Sequence, residues 1–78
     1  MNSNRVYQIA IAEASNIYTY DVPLAALIAP DKQDNNFEYI YSLRDILDNV
    51  LDLKINESMY FQPNRDNKNT KAIILRRN

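Results

Sequence analysis

Asp45, Asp48 and Asp52 are spaced at i, i+3 and i+7, so a helix through them would carry three carboxylates on one face. Such a face could hold a hard cation such as Mg²⁺ or Ca²⁺, or do acid–base work. The same spacing describes the solvated side of an amphipathic helix, and residues 43–53 supply the matching apolar side, so no metal is assigned to it. Asp31 and Asp34 lie in a polar loop without the ligand spacing or the glycine of an EF-hand. Beyond the carboxylates the chain is poor in reactive groups. Histidine and cysteine are absent, which removes the commonest general base, the commonest metal ligands and the thiol nucleophile. Ser3, Ser15, Ser42 and Ser58 have no neighbouring base, and the absence of glycine excludes loops that cradle phosphate by close backbone approach. The expectation is a protein that is not an enzyme, with no catalytic residue, no metal and no cofactor.

Two features point to binding. Six tyrosines are many for 78 residues, and Tyr18/Tyr20 and Tyr39/Tyr41 are pairs two apart beside Asp21 and Glu38. Tyrosine brings large contact area at low entropic cost, so Tyr18, Tyr20, Tyr39 and Tyr41 are the expected protein-binding residues. Charge is also split along the chain. Residues 1–53 carry three cations against eight anions, and residues 54–78 carry six against two, within a net charge of −1. The basic end gives the alternative, a nucleic-acid binder with Arg65, Lys68, Lys71, Arg76 and Arg77 on phosphates. The overall pI of about 5.2 opposes that alternative.

The elements that must position these residues follow from periodicity. Tyr7, Ile9 and Ile11 alternate within residues 5–12 and predict a half-buried strand. Residues 17–22 predict a second strand, with a turn at Ala14, Ser15 and Asn16. Pro23 to Ala29 reads as one or two helical turns ended by Pro30. Residues 37–41 predict a short third strand. Leu43, Ile46, Leu47, Val50 and Leu51 mark the helix at 43–53, with Ser42 as its N-cap and Asp45 completing an approximate capping box. Residues 58–62 and 71–76 form a C-terminal β-hairpin across a long polar loop. Of the eleven asparagines, Asn16, Asn35, Asn36, Asn56, Asn64, Asn67 and Asn69 fall where turns are expected and stand in for glycine there. The fold class is α+β: a small antiparallel sheet with one main amphipathic helix on one face, in a single domain over residues 1–78.

So short a chain builds a thin core, and without cysteine no disulfide supplements it. Ala72 to Leu75 are apolar on both faces, which predicts either a central strand or an edge strand buried in a homodimer. No apolar run is long enough for a membrane span, and the first residues lack the order of a signal peptide, so a cytoplasmic protein is expected. Residues 53–61 resemble a helix-to-strand junction in small phage-encoded proteins, with Asn56 where those carry glycine. The resemblance implies a phage or mobile-element accessory protein and assigns no functional residue. Taken together, the sequence predicts an inhibitor, adaptor or regulator that binds a protein partner.

Overall fold

The computed structural model describes residues 4–63 and 70–78. Two long strands open it, β1 (Val6–Glu13) and β2 (Asn16–Pro23), and two shorter ones close it, β3 (Ser58–Phe61) and β4 (Lys71–Arg76). Between the pairs lie α1 (Leu24–Ile28), α2 (Phe37–Tyr41), a 3₁₀ turn (Arg44–Ile46) and α3 (Leu47–Leu51). The sheet is fully antiparallel in the order β2-β1-β4-β3, so the first and last strands of the chain are its centre. This is the α+β class that the periodicity predicts, with the C-terminal hairpin in place.

The β1–β2 hairpin closes through Ala14 and Ser15, with Glu13 opposite Asn16. Ala14 takes a φ of 55°, a left-handed conformation that costs an L-residue about 1–2 kcal/mol. Asparagine therefore does not supply the special geometry here, although Asn56 does so, with a φ of 72°, in the turn before β3. Across the sheet, Tyr7, Ile9 and Ile11 of β1 line up with Val22 of β2 and with Ala72 and Ile74 of β4 on one face. The helices cover that face. Leu27 of α1, Tyr39 and Ile40 of α2, Leu43 just before the 3₁₀ turn and Val50 of α3 complete one buried cluster with those strand residues.

Two readings from sequence change. Residues 37–41 are helix, not strand. Phe-Glu-Tyr-Ile-Tyr has strong β propensity, but Tyr39, Ile40 and Leu43 continue the same helical stripe that runs on through Ile46, Leu47, Val50 and Leu51. Packing of that stripe on the sheet overrides the local preference. The expected helix over 43–53 is accordingly a longer arm in three segments, ending at Leu51. Ser42 is not an N-cap: its hydroxyl donates to the Glu38 carbonyl at 2.7 Å, at the C-terminal end of α2. Back-bonding of this kind bends helices, and the arm passes into its 3₁₀ turn immediately afterwards. Neither Ser42 nor Asp45 forms the expected capping box, because no side chain caps the 3₁₀ turn or α3.

Candidate protein-binding surface

Because helices pack on only one side, the alternate residues of every strand form an open sheet face. On β1 these are Val6, Gln8, Ala10 and Ala12. Their partners are Ile17, Thr19 and Asp21 on β2, Lys71, Ile73 and Leu75 on β4, and Ser58 and Tyr60 on β3. Ile17 is 75% exposed and Tyr60 74%. The two alanines keep the middle of the face low, while Ile73 and Leu75 beside them are half-buried. The result is a largely apolar surface with Lys71 at one end and the Asp21–Arg77 ion pair, at 3.5 Å, at the other. A shallow recess of about 290 Å³ lies where Tyr60, Phe61, Gln62, Lys71 and Ala72 meet.

The four tyrosines singled out from sequence do not form one surface. Tyr39 is 6% exposed and belongs to the core, where its hydroxyl donates to Glu13 Oε2 at 3.1 Å. Tyr20 packs against the same cluster, half-buried. Tyr18 is 50% exposed at the free edge of β2, and Tyr41 is exposed on the helical arm. There Tyr41 lies 5.3 Å from the Phe37 ring, and the Arg44 guanidinium sits 4.9 Å over its own ring.

The Tyr20 hydroxyl is buried and has no hydrogen-bond partner among the described residues. Burial first, then the Asp34 carboxylate and the Tyr39 hydroxyl, push its pKa well above the ordinary tyrosine value. The folded state thus holds this proton more tightly than the unfolded chain. Its contribution to stability is complete below pH ~10 and declines as the pH rises past that unfolded value. Tyr20→Phe is therefore expected to be neutral or stabilising by up to ~1 kcal/mol at pH 7, since no bond is lost. It should also flatten the alkaline loss of stability. Urea melts at neutral pH and at about pH 10.5 test both effects, and a marked destabilisation at pH 7 would contradict the unpartnered hydroxyl.

The expected nucleic-acid contacts divide in the same way. Arg65 and Lys68 lie outside the described residues. Lys71 is exposed on the open face. Arg76 is half-buried, and its Nη1 donates to the Leu53 carbonyl at 2.9 Å, while Arg77 pairs with Asp21. The acidic loop residues are also engaged: Asp31 accepts the Gln33 N–H at 2.9 Å and Asp34 the Asn36 N–H at 2.7 Å. Among the described residues no three metal-ligating side chains gather, and no helix is long and apolar enough to cross a membrane.

The open face was partly legible. Apolar residues on both sides of Ala72–Leu75 announced a strand with two covered or coverable faces, and β4 is indeed central. Tyr60 and Ile17 carried no such signal, because a lone exposed aromatic or aliphatic residue is ordinary until the sheet places it beside others. Comparison of the chain with protein-family models, with curated proteins and with solved structures finds no match.

Proposed function

We propose that this chain is a small, non-catalytic, cytoplasmic protein-binding module, an inhibitor, adaptor or regulator that takes an apolar protein surface on its open sheet face. One observation carries the reading. The helices cover one side of the sheet, and the other side presents Val6, Ala10, Ala12, Ile17, Tyr60, Ile73 and Leu75 together. A contiguous apolar patch rimmed by charge is what protein interfaces use. The tyrosine contribution in this reading comes from Tyr60, since Tyr18 lies opposite Ile11 on the helix-covered side of the sheet.

The test is capture from nuclease-treated lysate by the tagged wild-type chain and by the double variant Tyr60→Ser, Ile73→Thr. Threonine keeps the strand propensity at position 73. A protein captured by wild type should fall at least about tenfold with the double variant, the loss expected for interface anchors worth ~1.4 kcal/mol or more. Equal capture by a folded double variant removes the open face from the reading. Capture that disappears on nuclease treatment returns the weight to the basic C-terminal end and nucleic acid.

A further inference from the structure

The free edge of β2 is unlike the rest of the surface. The Leu24 N–H donates to the Arg5 carbonyl across β1 and β2, and the Arg77 N–H donates to the Val6 carbonyl across β1 and β4. Backbone groups alternate along an antiparallel strand. The odd-numbered residues of β1 therefore bond to β2, through Val22, Tyr20, Tyr18 and Asn16. That leaves the N–H and C=O groups of Ile17, Thr19 and Asp21 pointing away from the sheet. Pro23, the next residue in that series, has no N–H to leave unpaired, as suits an edge strand.

Natural edges are blunted by shortness, lysine, bulges or covering elements. The opposite edge obeys this rule: β3 has four residues, with Pro63 two positions beyond it. β2 obeys it only at its end, where Pro23 closes it: the strand runs eight residues, carries no lysine, and pairs with β1 without a bulge along its whole length. Its exposed side chains include Ile17, Tyr18 and Thr19, all strong strand formers.

We infer that β2 pairs antiparallel with β2 of a second copy of this chain, joining two four-stranded sheets into one of eight strands. The sequence of the strand selects that occupant. An isologous contact must be self-complementary, and Tyr18-Thr19-Tyr20 reads the same in both directions. With Thr19 opposite Thr19 of the second copy, Tyr18 faces Tyr20 and Ile17 faces Asp21. Every outward-pointing residue then meets another outward-pointing residue, so each such pair can exchange N–H···O bonds. Threonine–threonine and aromatic–aromatic are favourable cross-strand pairs. Charge permits the approach. Asp21 is the one charged residue of β2 and is already held by Arg77. In this register the two Asp21 carboxylates stand four residues apart along the strands, about 14 Å, beyond the ~8 Å screening length at physiological salt. The two-fold axis runs perpendicular to the sheet, so both helical layers lie on one side and both open faces join on the other.

An interface of one strand on one strand belongs to the small, transient class, with a dissociation constant of about 1 µM to 1 mM. The inference does not rest on the binding function proposed above, and its test is separate from that one. Sedimentation of the full chain across this concentration range should show a monomer–dimer equilibrium. Over the same range, amide exchange at Ile17, Thr19 and Asp21 should slow about tenfold or more, while Tyr18 and Tyr20, already bonded to β1, should not change. Thr19→Pro removes one outward N–H without touching the β1 ladder, and should leave a folded monomer. Should proline unfold the strand, the residue pattern of exchange in wild type decides alone. A chain that stays monomeric to about 1 mM overturns the inference. So does a dimer in which exchange at residues 17, 19 and 21 is independent of concentration, which would place the contact on the open face.

Discussion

Replacing Tyr39 with alanine is expected to remove a large share of the protein's stability rather than to clear a binding surface. Of the three aromatic residues of α2, Tyr39 is the one in the buried cluster and is almost fully enclosed, whereas Phe37 is half-buried and Tyr41 exposed. Deleting a buried aromatic ring costs about 3–5 kcal/mol through lost transfer energy and the cavity left behind. The hydrogen bond to Glu13 goes with it. A chain of 78 residues has about 4–12 kcal/mol in total. With a urea slope near ~1 kcal/mol/M, the lowest expected for a small domain, the midpoint should fall by about 3 M or more. Tyr18→Ala and Tyr41→Ala are expected to behave otherwise. Both side chains are exposed, and Tyr41 loses only its contacts with Phe37 and Arg44, together worth about 1–2 kcal/mol. A Tyr39→Ala chain that melts with wild type would show that the ring is not a core element. The practical consequence is that any loss of partner binding in a Tyr39 variant reports folding.

That contrast shows where the sequence was readable. Strand β1 was legible because Tyr7, Ile9 and Ile11 alternate at period two, against the helix preference of Ala10 and Ala12, and β2 because residues 17–22 are rich in β-branched and aromatic types; Tyr7, Ile9 and Ile11 are indeed buried. The stripe Leu43, Ile46, Leu47, Val50 and Leu51 was legible for the same reason at period 3.6. Residues 37–41 were not. In five residues, Tyr39 and Tyr41 alternate as a strand would, while Tyr39 and Ile40 are adjacent as a helix core requires, and only packing chooses between them. The candidate surface suffered from this directly. Tyr39 and Tyr41 share a face on a strand but lie on different sides of a helix, so the pair dissolves once α2 forms. Beyond β4, the open face escaped notice because its apolar members come from four separate strands. No local window contains them, and only the register of β1 with β4 and β3 brings Ala10, Ile73 and Tyr60 into one row.

Arg5→Met and Arg76→Met together are expected to release the helical arm from the sheet. The last carbonyls of a helix have no partner within it, and here two arginines, Arg5 just before β1 and Arg76 of β4, supply the donors. Arg5 Nη1 donates to the Leu51 carbonyl at 3.2 Å and to the Tyr7 hydroxyl at 3.1 Å, while Arg76 Nη1 donates to the Leu53 carbonyl at 2.9 Å. Tyr7 itself reaches the Val50 carbonyl at 3.4 Å. A positive charge at the negative end of α3 adds to the bonding. Hydrogen bonds to a charged group are worth about 1.5–3 kcal/mol each, and methionine preserves most of the apolar stem while removing the donors. Each single variant should thus lose about 1.5–3 kcal/mol. The two sites share Tyr7, which faces Arg76 across the sheet, so the double variant should depart from additivity, as a double-mutant cycle would measure. Amide protection over residues 47–51 should collapse before that of β1 and β4. Stability changes under about 0.5 kcal/mol in both single variants would show that these donors are dispensable. The same geometry bears on nucleic acid. A phosphate that takes the Arg76 Nη1 donor withdraws it from the Leu53 carbonyl, so a contact there carries the cost of loosening the arm. Two of the three cations among residues 71–77 are in this way committed to the fold, Arg76 to the end of the arm and Arg77 to Asp21, which leaves Lys71. The Arg76→Met variant therefore separates the two roles, since it should weaken the fold in any salt, whereas a phosphate contact would register as a shallower salt dependence of binding.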